Sequence, residues 1–364
     1  MAENRIWLFR LISITLGLVV AMIMGELMLH VYARHVAGQE QMDEGLIKYH
    51  SRLGWKLASG WQGQHRHYDY HVNYSTDIRG FRAGDQGLAT EASESVLILG
   101  DSFTFGLGVN DSETFVANLN ALQSDRQYIN AGVPGYSPEQ MLLWSDTAVQ
   151  IAKPGHVYFV VYLGNDLIDL GLHFPVQAGH GKPVAAITID GFGNEQLEMQ
   201  NIPVPMAEKP PALKNQTLGS YLLGADAASS GTGVRLFDLV AGQLRAVDQE
   251  TAATLNVHIL KSIRLFSLVY QAFVDQMAAR GVTSVSLVLL PGASLINDPT
   301  SVAGTYQLML ADALMELANK KNWEIMSLTP ALSGSSETIY FPNDGHLTAA
   351  GHALVAKRLL EATF

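Results

Sequence analysis

Three residue types able to share one proton-transfer task stand in two short stretches of this chain. Gly100-Asp101-Ser102 closes the apolar run Val96-Leu97-Ile98-Leu99, and Asn343-Asp344-Gly345-His346 lies near the C-terminus. A serine hydroxyl is a poor nucleophile until a base takes its proton. That base works best when a third group holds its tautomer. The two stretches are about 240 residues apart, so only the fold can bring them together. The expectation is that Ser102, His346 and Asp344 meet as nucleophile, base and orienting acid.

The elements that would position them are legible as periodicity. The unbroken apolar run at 96–99 is what a central parallel strand, covered on both faces, requires. Gly100 allows the tight turn after it, and Ser102 then sits at the strand's carboxyl end, where open α/β sheets place their ligands. Apolar strand-like runs also precede Asn130-Ala131-Gly132-Val133-Pro134-Gly135 and Gly164-Asn165-Asp166. A fourth strand is expected at 285–290 and a short fifth at 323–328. Helices are expected through Leu122 after the acids Asp111 and Glu113, after Ser137-Pro138-Glu139, over 251–280 with Gly281 as its stop, over 301–320, and from Thr348 onward. Strand alternating with helix predicts a parallel sheet with right-handed crossovers.

Serine, glycine, asparagine and histidine blocks in this order, beginning with Gly-Asp-Ser, resemble the SGNH (GDSL) hydrolase superfamily. The resemblance covers roughly residues 95–362. It implies a three-layer α/β/α sandwich with a flavodoxin-like parallel sheet of about five strands, and a serine esterase that needs no metal or organic cofactor. It also implies an oxyanion hole made by the Ser102 N–H, the Gly135 N–H and the Asn165 side chain, with Gly132 the lesser candidate for the glycine. One departure stands out. The commonest pattern has aspartate three residues before the histidine, where this chain has Asn343. The Asp-x-His spacing of relatives such as polysaccharide acetylesterases keeps Asp344 as the orienter. Asp166 reads as a turn or cap acid, and His352 as a helix histidine rather than a base.

Upstream, residues 11–32 form a run of 22 with only Glu26 and His30 as ionisable interruptions. A helix of that length reaches about 33 Å, enough for a bilayer core of roughly 30 Å. A cleaved signal would have a shorter apolar region and a small-x-small site. Ala33-Arg34-His35 offers none, so an uncleaved single-pass anchor over residues 1–35 is expected. Lys and Arg flank both sides and do not set its orientation. A short N-terminal tail before a large domain favours an extracytoplasmic catalytic body. Glu26 and His30 share a helix face, either near the outer interface or against a partner helix.

Residues 36–94 read as a polar stalk to about residue 60, followed by a β-rich lead-in. His65, His67 and His71 accompany the β-prone run 68–74 and are read as strand residues rather than metal ligands. Arg79-Gly80-Phe81-Arg82 resembles a Gly-Phe-Arg segment of membrane-associated superfamily members; the plain reading is a turn with Arg82 in a surface ion pair. The hydrolase domain is expected at 95–364, with an insertion at 167–250 containing a hairpin over 182–203 and a partly helical stretch at 216–246. An insertion directly after Asn165 would lie at the site mouth as a lid, or face solvent as decoration.

Composition excludes some classes. Charged residues are 16% of the 364, and the net charge is −11, leaving no basic surplus for phosphate backbones; a nucleic-acid partner is not expected. The absence of cysteine rules out disulfides and a thiol nucleophile. The superfamily resemblance, with an extracytoplasmic body, implies an acyl ester on an envelope glycan or lipid as the substrate. The alternatives are O-acyl transfer to a polysaccharide, or a catalytically silent glycan-binding or assembly protein. Acyl length and oligomeric state leave no trace in the sequence.

Overall fold

The computed structural model describes residues 2–37, 40–84, 94–176, 179–214, 218–223 and 247–362. The chain opens with one continuous helix, α1 (Ala2–Ala37). Its apolar segment, Phe9–Tyr32, is 24 residues long with a mean hydropathy of 2.2, and none of it is buried in the protein. Glu26 and His30, one turn apart, pair with each other at 3.1 Å.

After α1 come five short strands: β1 (Gln41–Met42), β2 (Ile47–His50), β3 (Gly54–Leu57), β4 (Gln62–Arg66) and β5 (His71–Ser75). They form a three-stranded sheet in the order β1–β4–β5 and a separate β2–β3 hairpin. This corrects the stalk expected up to residue 60. Leu46, Leu53, Trp55 and Leu57 belong to the main hydrophobic core. Trp55 Nε1 donates to Pro134 O at 2.9 Å, and Tyr136 OH donates to Trp55 O at 2.7 Å. The stretch reads as polar because exposed residues such as Lys48, Lys56, Gln62, Gln64 and Arg66 are interspersed with the buried ones.

Two further expectations change here. His65 and His71 lie on different strands, paired antiparallel, with His67 in the turn between them. Arg82 is not at the surface. Its side chain is fully buried against Asp111, at 2.8 Å, and its guanidinium lies between the rings of Tyr74 and Phe105, 4.3 and 4.4 Å from their centroids. Burial is the main cause that lowers its pKa to about 10, and the ion pair and ring faces keep it charged near neutrality.

The catalytic-domain runs form β6 (Glu94–Gly100), β7 (Arg126–Gly132) and β8 (His156–Tyr162), and, after the insertion, Ser284–Leu290 and Glu324–Ser327. All five strands are parallel. The first strand in sequence sits between the second and third, and the fourth and fifth extend the sheet beyond the third. This is the flavodoxin-like order. Alternation splits the core: Leu97 and Leu99 join one cluster with Phe266, Tyr270 and Phe273 of the helix Gln249–Ala279, while Val96 and Ile98 join another with Phe115, Val355 and Leu359. Helices therefore cover both faces of the sheet.

Within the insertion, a hairpin pairs β9 (Val184–Ile189) with β10 (Glu195–Gln200). The insertion is fastened by buried cations. Lys182 forms a fully buried ion pair with Glu139, and Lys209 Nζ donates to Pro175 O and Val176 O, both at 2.7 Å. Of the helical stretch expected at 216–246, Leu218–Leu223 is a helix; the remainder lies outside the described residues. The helix Gln249–Ala279 is also long and apolar enough to cross a membrane. It differs from α1 because Leu255, Ile259, Phe266, Val269, Tyr270, Phe273 and Met277 are buried in the domain core.

Candidate active site

β6 ends at Gly100, where a Cβ would come within 2.0 Å of Thr104 Oγ1. Only a hydrogen fits there. The chain turns at Asp101, whose carboxylate accepts from Phe103 N at 2.9 Å and caps the four-residue helix α2 (Ser102–Phe105). Ser102 thus stands at the first helical position. The Ser102 N–H there has no acceptor within the helix.

The second stretch is held by its own backbone. Phe341 N donates to His346 O at 2.8 Å, and Gly345 N donates to Phe341 O at 3.0 Å. Gly345 has φ +85°, a left-handed conformation that glycine adopts without strain. Thr348 caps the helix Ala349–Glu361, so the loop is pinned at both ends.

The fold brings the two distant stretches into one chain of contacts. His346 Nε2 lies 2.8 Å from Ser102 Oγ, and His346 Nδ1 lies 2.5 Å from Asp344 Oδ1. With the proton on Nδ1, donated to the carboxylate, Nε2 is the acceptor for the serine hydroxyl. The imidazole face packs on Phe103, 4.6 Å between centroids, and Phe103 stacks on Tyr162 at 3.8 Å. Burial pushes the Asp344 carboxyl up. The bond and charge of His346, its backbone N–H and the Tyr70 hydroxyl outweigh that, and the net shift is downward. Asp344 is therefore an anion, as an orienting acid must be.

Two residues of this arrangement carried no signal in the sequence. Tyr70 OH donates to Asp344 Oδ2 at 3.1 Å. Asp69 accepts from Asn343 N at 2.8 Å, Asn343 Nδ2 at 2.7 Å and Asp344 N at 2.8 Å. Tyr70 is itself packed between His67, stacked at 5.0 Å, and Phe341 at 5.1 Å. Burial, then the nearby Asp344 charge, raises the Tyr70 pKa, so it stays a hydrogen-bond donor. Both residues lie in the lead-in, where only β-propensity was visible.

The residues expected at the oxyanion lie at the same sheet edge. Gly135 follows Pro134 in the turn closed by Tyr136 N donating to Val133 O at 3.1 Å, and has φ +78°. Gly132 is committed elsewhere: its N–H donates to Asn130 Oδ1 at 3.0 Å, and a Cβ there would come within 2.3 Å of Phe105 N. Asn165 follows β8, buried, with one amide N–H given to Asp169 Oδ2 at 3.0 Å. β7 and β8 flank β6, so both residues follow strands that neighbour the one leading to Ser102.

The remaining acids are structural. Burial raises Asp101 to about 6. Asp166 Oδ2 accepts from Tyr162 N at 2.8 Å; burial and then the charge of Asp101 hold its pKa well above the ordinary range. His352 is buried, its Nδ1 accepts from Phe115 N at 3.1 Å, and burial lowers its pKa to about 3. It lies within the helix Ala349–Glu361, while His346 faces Ser102 Oγ. A cavity of about 660 Å³ between Asp77–Gly84 and Ala117–Asn130 contains none of the triad residues.

Residues 98–354 match the GDSL-like lipase/acylhydrolase family. Solved structures with a similar chain course include a member of the lipolytic protein G-D-S-L family from Veillonella parvula DSM 2008, 13% identical, covering 74% of this chain and 97% of that one, with a TM-score of 0.37. The acetyl xylan esterase AlAXEase is 14% identical, with coverage of 74% and 100% and a TM-score of 0.42. A catalytic mutant of Axe2, an acetylxylan esterase from Geobacillus stearothermophilus, is 11% identical, with coverage of 75% and 95% and a TM-score of 0.41. No curated protein matches the chain.

Proposed function

The chain belongs to the GDSL-like lipase/acylhydrolase family, and we propose that within it Ser102, His346 and Asp344 are the catalytic triad of a serine esterase. The observation that carries this is the unbroken contact from Ser102 Oγ through His346 to Asp344, 2.8 and 2.5 Å. His346 Nε2 takes the hydroxyl proton as Ser102 Oγ attacks the acyl carbon. The carbonyl electrons move to oxygen, and the oxyanion is met by the Ser102 N–H, the Gly135 N–H and the Asn165 amide. Removing one such donor costs about 3–4 kcal/mol in well-studied hydrolases. The imidazolium then protonates the leaving alcohol. Water enters, gives its proton to His346, attacks the acyl-enzyme and releases the acid, and the proton returns to Ser102. Asp344 keeps the imidazole in one tautomer and balances its charge without taking the proton.

We read α1 as an uncleaved anchor, the lead-in as part of the catalytic body, and that body as extracytoplasmic. The substrate class is an acyl ester of an envelope glycan or lipid. The support for retention of α1 is its bond to the catalytic loop, Tyr32 OH to Asn343 Oδ1 at 2.6 Å.

A fluorophosphonate probe tests the triad. Detergent-solubilised full-length protein should be labelled at Ser102 and should hydrolyse p-nitrophenyl acetate; Ser102→Ala and His346→Ala should do neither. Folded wild type that is neither labelled nor active would overturn the assignment.

A further inference from the structure

We propose that the catalytic loop is held at the surface of the bilayer that α1 crosses, and that the substrate is an ester of a lipid embedded in that bilayer. This rests on the esterase reading above and deepens it.

Many apolar side chains of α1 are exposed: Phe9 is 75% exposed, Leu18 65% and Ile23 61%. A helical segment of 24 residues is about 36 Å long, against a hydrocarbon core of roughly 30 Å. Its apolar character stops at Tyr32. Beyond that point Tyr68 packs edge-on against both Tyr32 and His35, with centroids 6.2 and 5.8 Å apart. Exposed tyrosines at the end of an apolar helix are the side chains that settle at the lipid–water boundary, ring in the apolar zone and hydroxyl in the wet one.

The same tyrosine touches the catalytic loop. Tyr32 OH donates to Asn343 Oδ1 at 2.6 Å, while Asn343 N and Nδ2 donate to Asp69 at 2.8 and 2.7 Å. Asn343 is thus bonded to the membrane helix on one side and to the lead-in on the other, and it directly precedes Asp344. Three residues of chain span no more than about 11 Å, and that is all that separates Asn343 from His346. The catalytic base is therefore tied to the boundary, not merely tethered near it by a linker. An ester confined to the same surface meets the site at high effective concentration and in a restricted orientation.

Reconstituted full-length protein can be offered two esters at once: p-nitrophenyl acetate in the water, and a fluorogenic short-chain ester of a diacyl lipid in the vesicle wall. Wild type should turn over both. Ten Gly/Ser residues inserted between Ala37 and Gly38 keep the domain anchored but release its orientation. That variant should lose tenfold or more on the lipid ester and stay within twofold on the soluble one. Tyr32→Phe should shift the ratio in the same direction by a smaller factor. An unchanged ratio in the insertion variant would overturn the proposal, as would a wild type that hydrolyses only the soluble ester. So would N-terminal sequencing of membrane-extracted protein that begins beyond Tyr32. Hydrolysis of neither ester would instead strike the esterase reading and remove this proposal with it.

Discussion

The serine end and the acid end of the proposed triad are built on different principles. Ser102 is positioned by its own strand and turn: Gly100 clears space for Thr104, and Asp101 caps the helix that Ser102 begins. Asp344 is positioned from outside the sheet. Asp69 receives three hydrogen bonds from the backbone and side chain around it, and Tyr70 donates to its free oxygen. Both braces come from the turn between β4 and β5, which precedes β6 in the chain. A nucleophile fixed by local turn chemistry is robust to what surrounds it. An acid fixed by a distant segment depends on that segment being folded and docked.

The largest effects should fall at the reacting residues and serve as the baseline. Ser102→Ala should lower ester turnover by roughly 10,000-fold or more, and Asp344→Asn by about 10,000-fold, since an amide presents the wrong partner to imidazole. Steady-state hydrolysis with a thermal melt as folding control reads both. Asp69→Ala comes next. It strips the loop of three bonds and should cost roughly 10- to 100-fold in kcat, with KM little changed. If kcat holds, the acid end is self-supporting and the contrast drawn above is broken.

Tyr70→Phe is finer. It leaves the packing but removes one hydrogen bond to an anion, worth about 1.5–2 kcal/mol, or roughly 10- to 30-fold in kcat/KM. A double variant with Asp69→Ala should be less than additive if both act only by placing Asp344. The smallest effect should be at the other histidine of the C-terminal block. His352 titrates at about 3 in the folded protein because burial disfavours its charge. The unfolded chain takes up that proton near pH 6.5. Its contribution is therefore present above pH 6.5 and lost as pH falls toward 3, at up to about 1.4 kcal/mol per pH unit. His352→Gln should flatten the acid limb of a stability–pH curve by up to that slope while leaving esterase activity within a few-fold. Denaturant melts between pH 4 and 7 measure it.

Much of the sheet was legible because buried parallel strands leave unbroken apolar runs, and the blocks holding Ser102, Gly135 and Asn165 each follow one. The helix bounds came within a residue or two for 251–280 and 301–320, observed as Gln249–Ala279 and Val302–Lys321. The lead-in was less legible. Gln62-Gly63-Gln64-His65-Arg66 is nearly all polar, yet it is a central strand of its small sheet. Arg82 looks like a surface charge until Tyr74, Phe105 and Asp111 are seen around it. Such environments are assembled from separate segments, and no local period encodes them.

By itself, the order of residues determined the α/β sheet and the apolar N-terminal helix and singled out Ser102, His346 and Asp344 as the proposed triad, because strand burial, helix length and side-chain chemistry are local properties. Only the tertiary structure decided that Asp69 and Tyr70 hold the acid, that Lys182 is buried with Glu139, and that Tyr32 reaches the catalytic loop. Those are contacts across tens to hundreds of residues. They exist because docking removes polar groups from water, and each must then find a partner wherever the fold provides one.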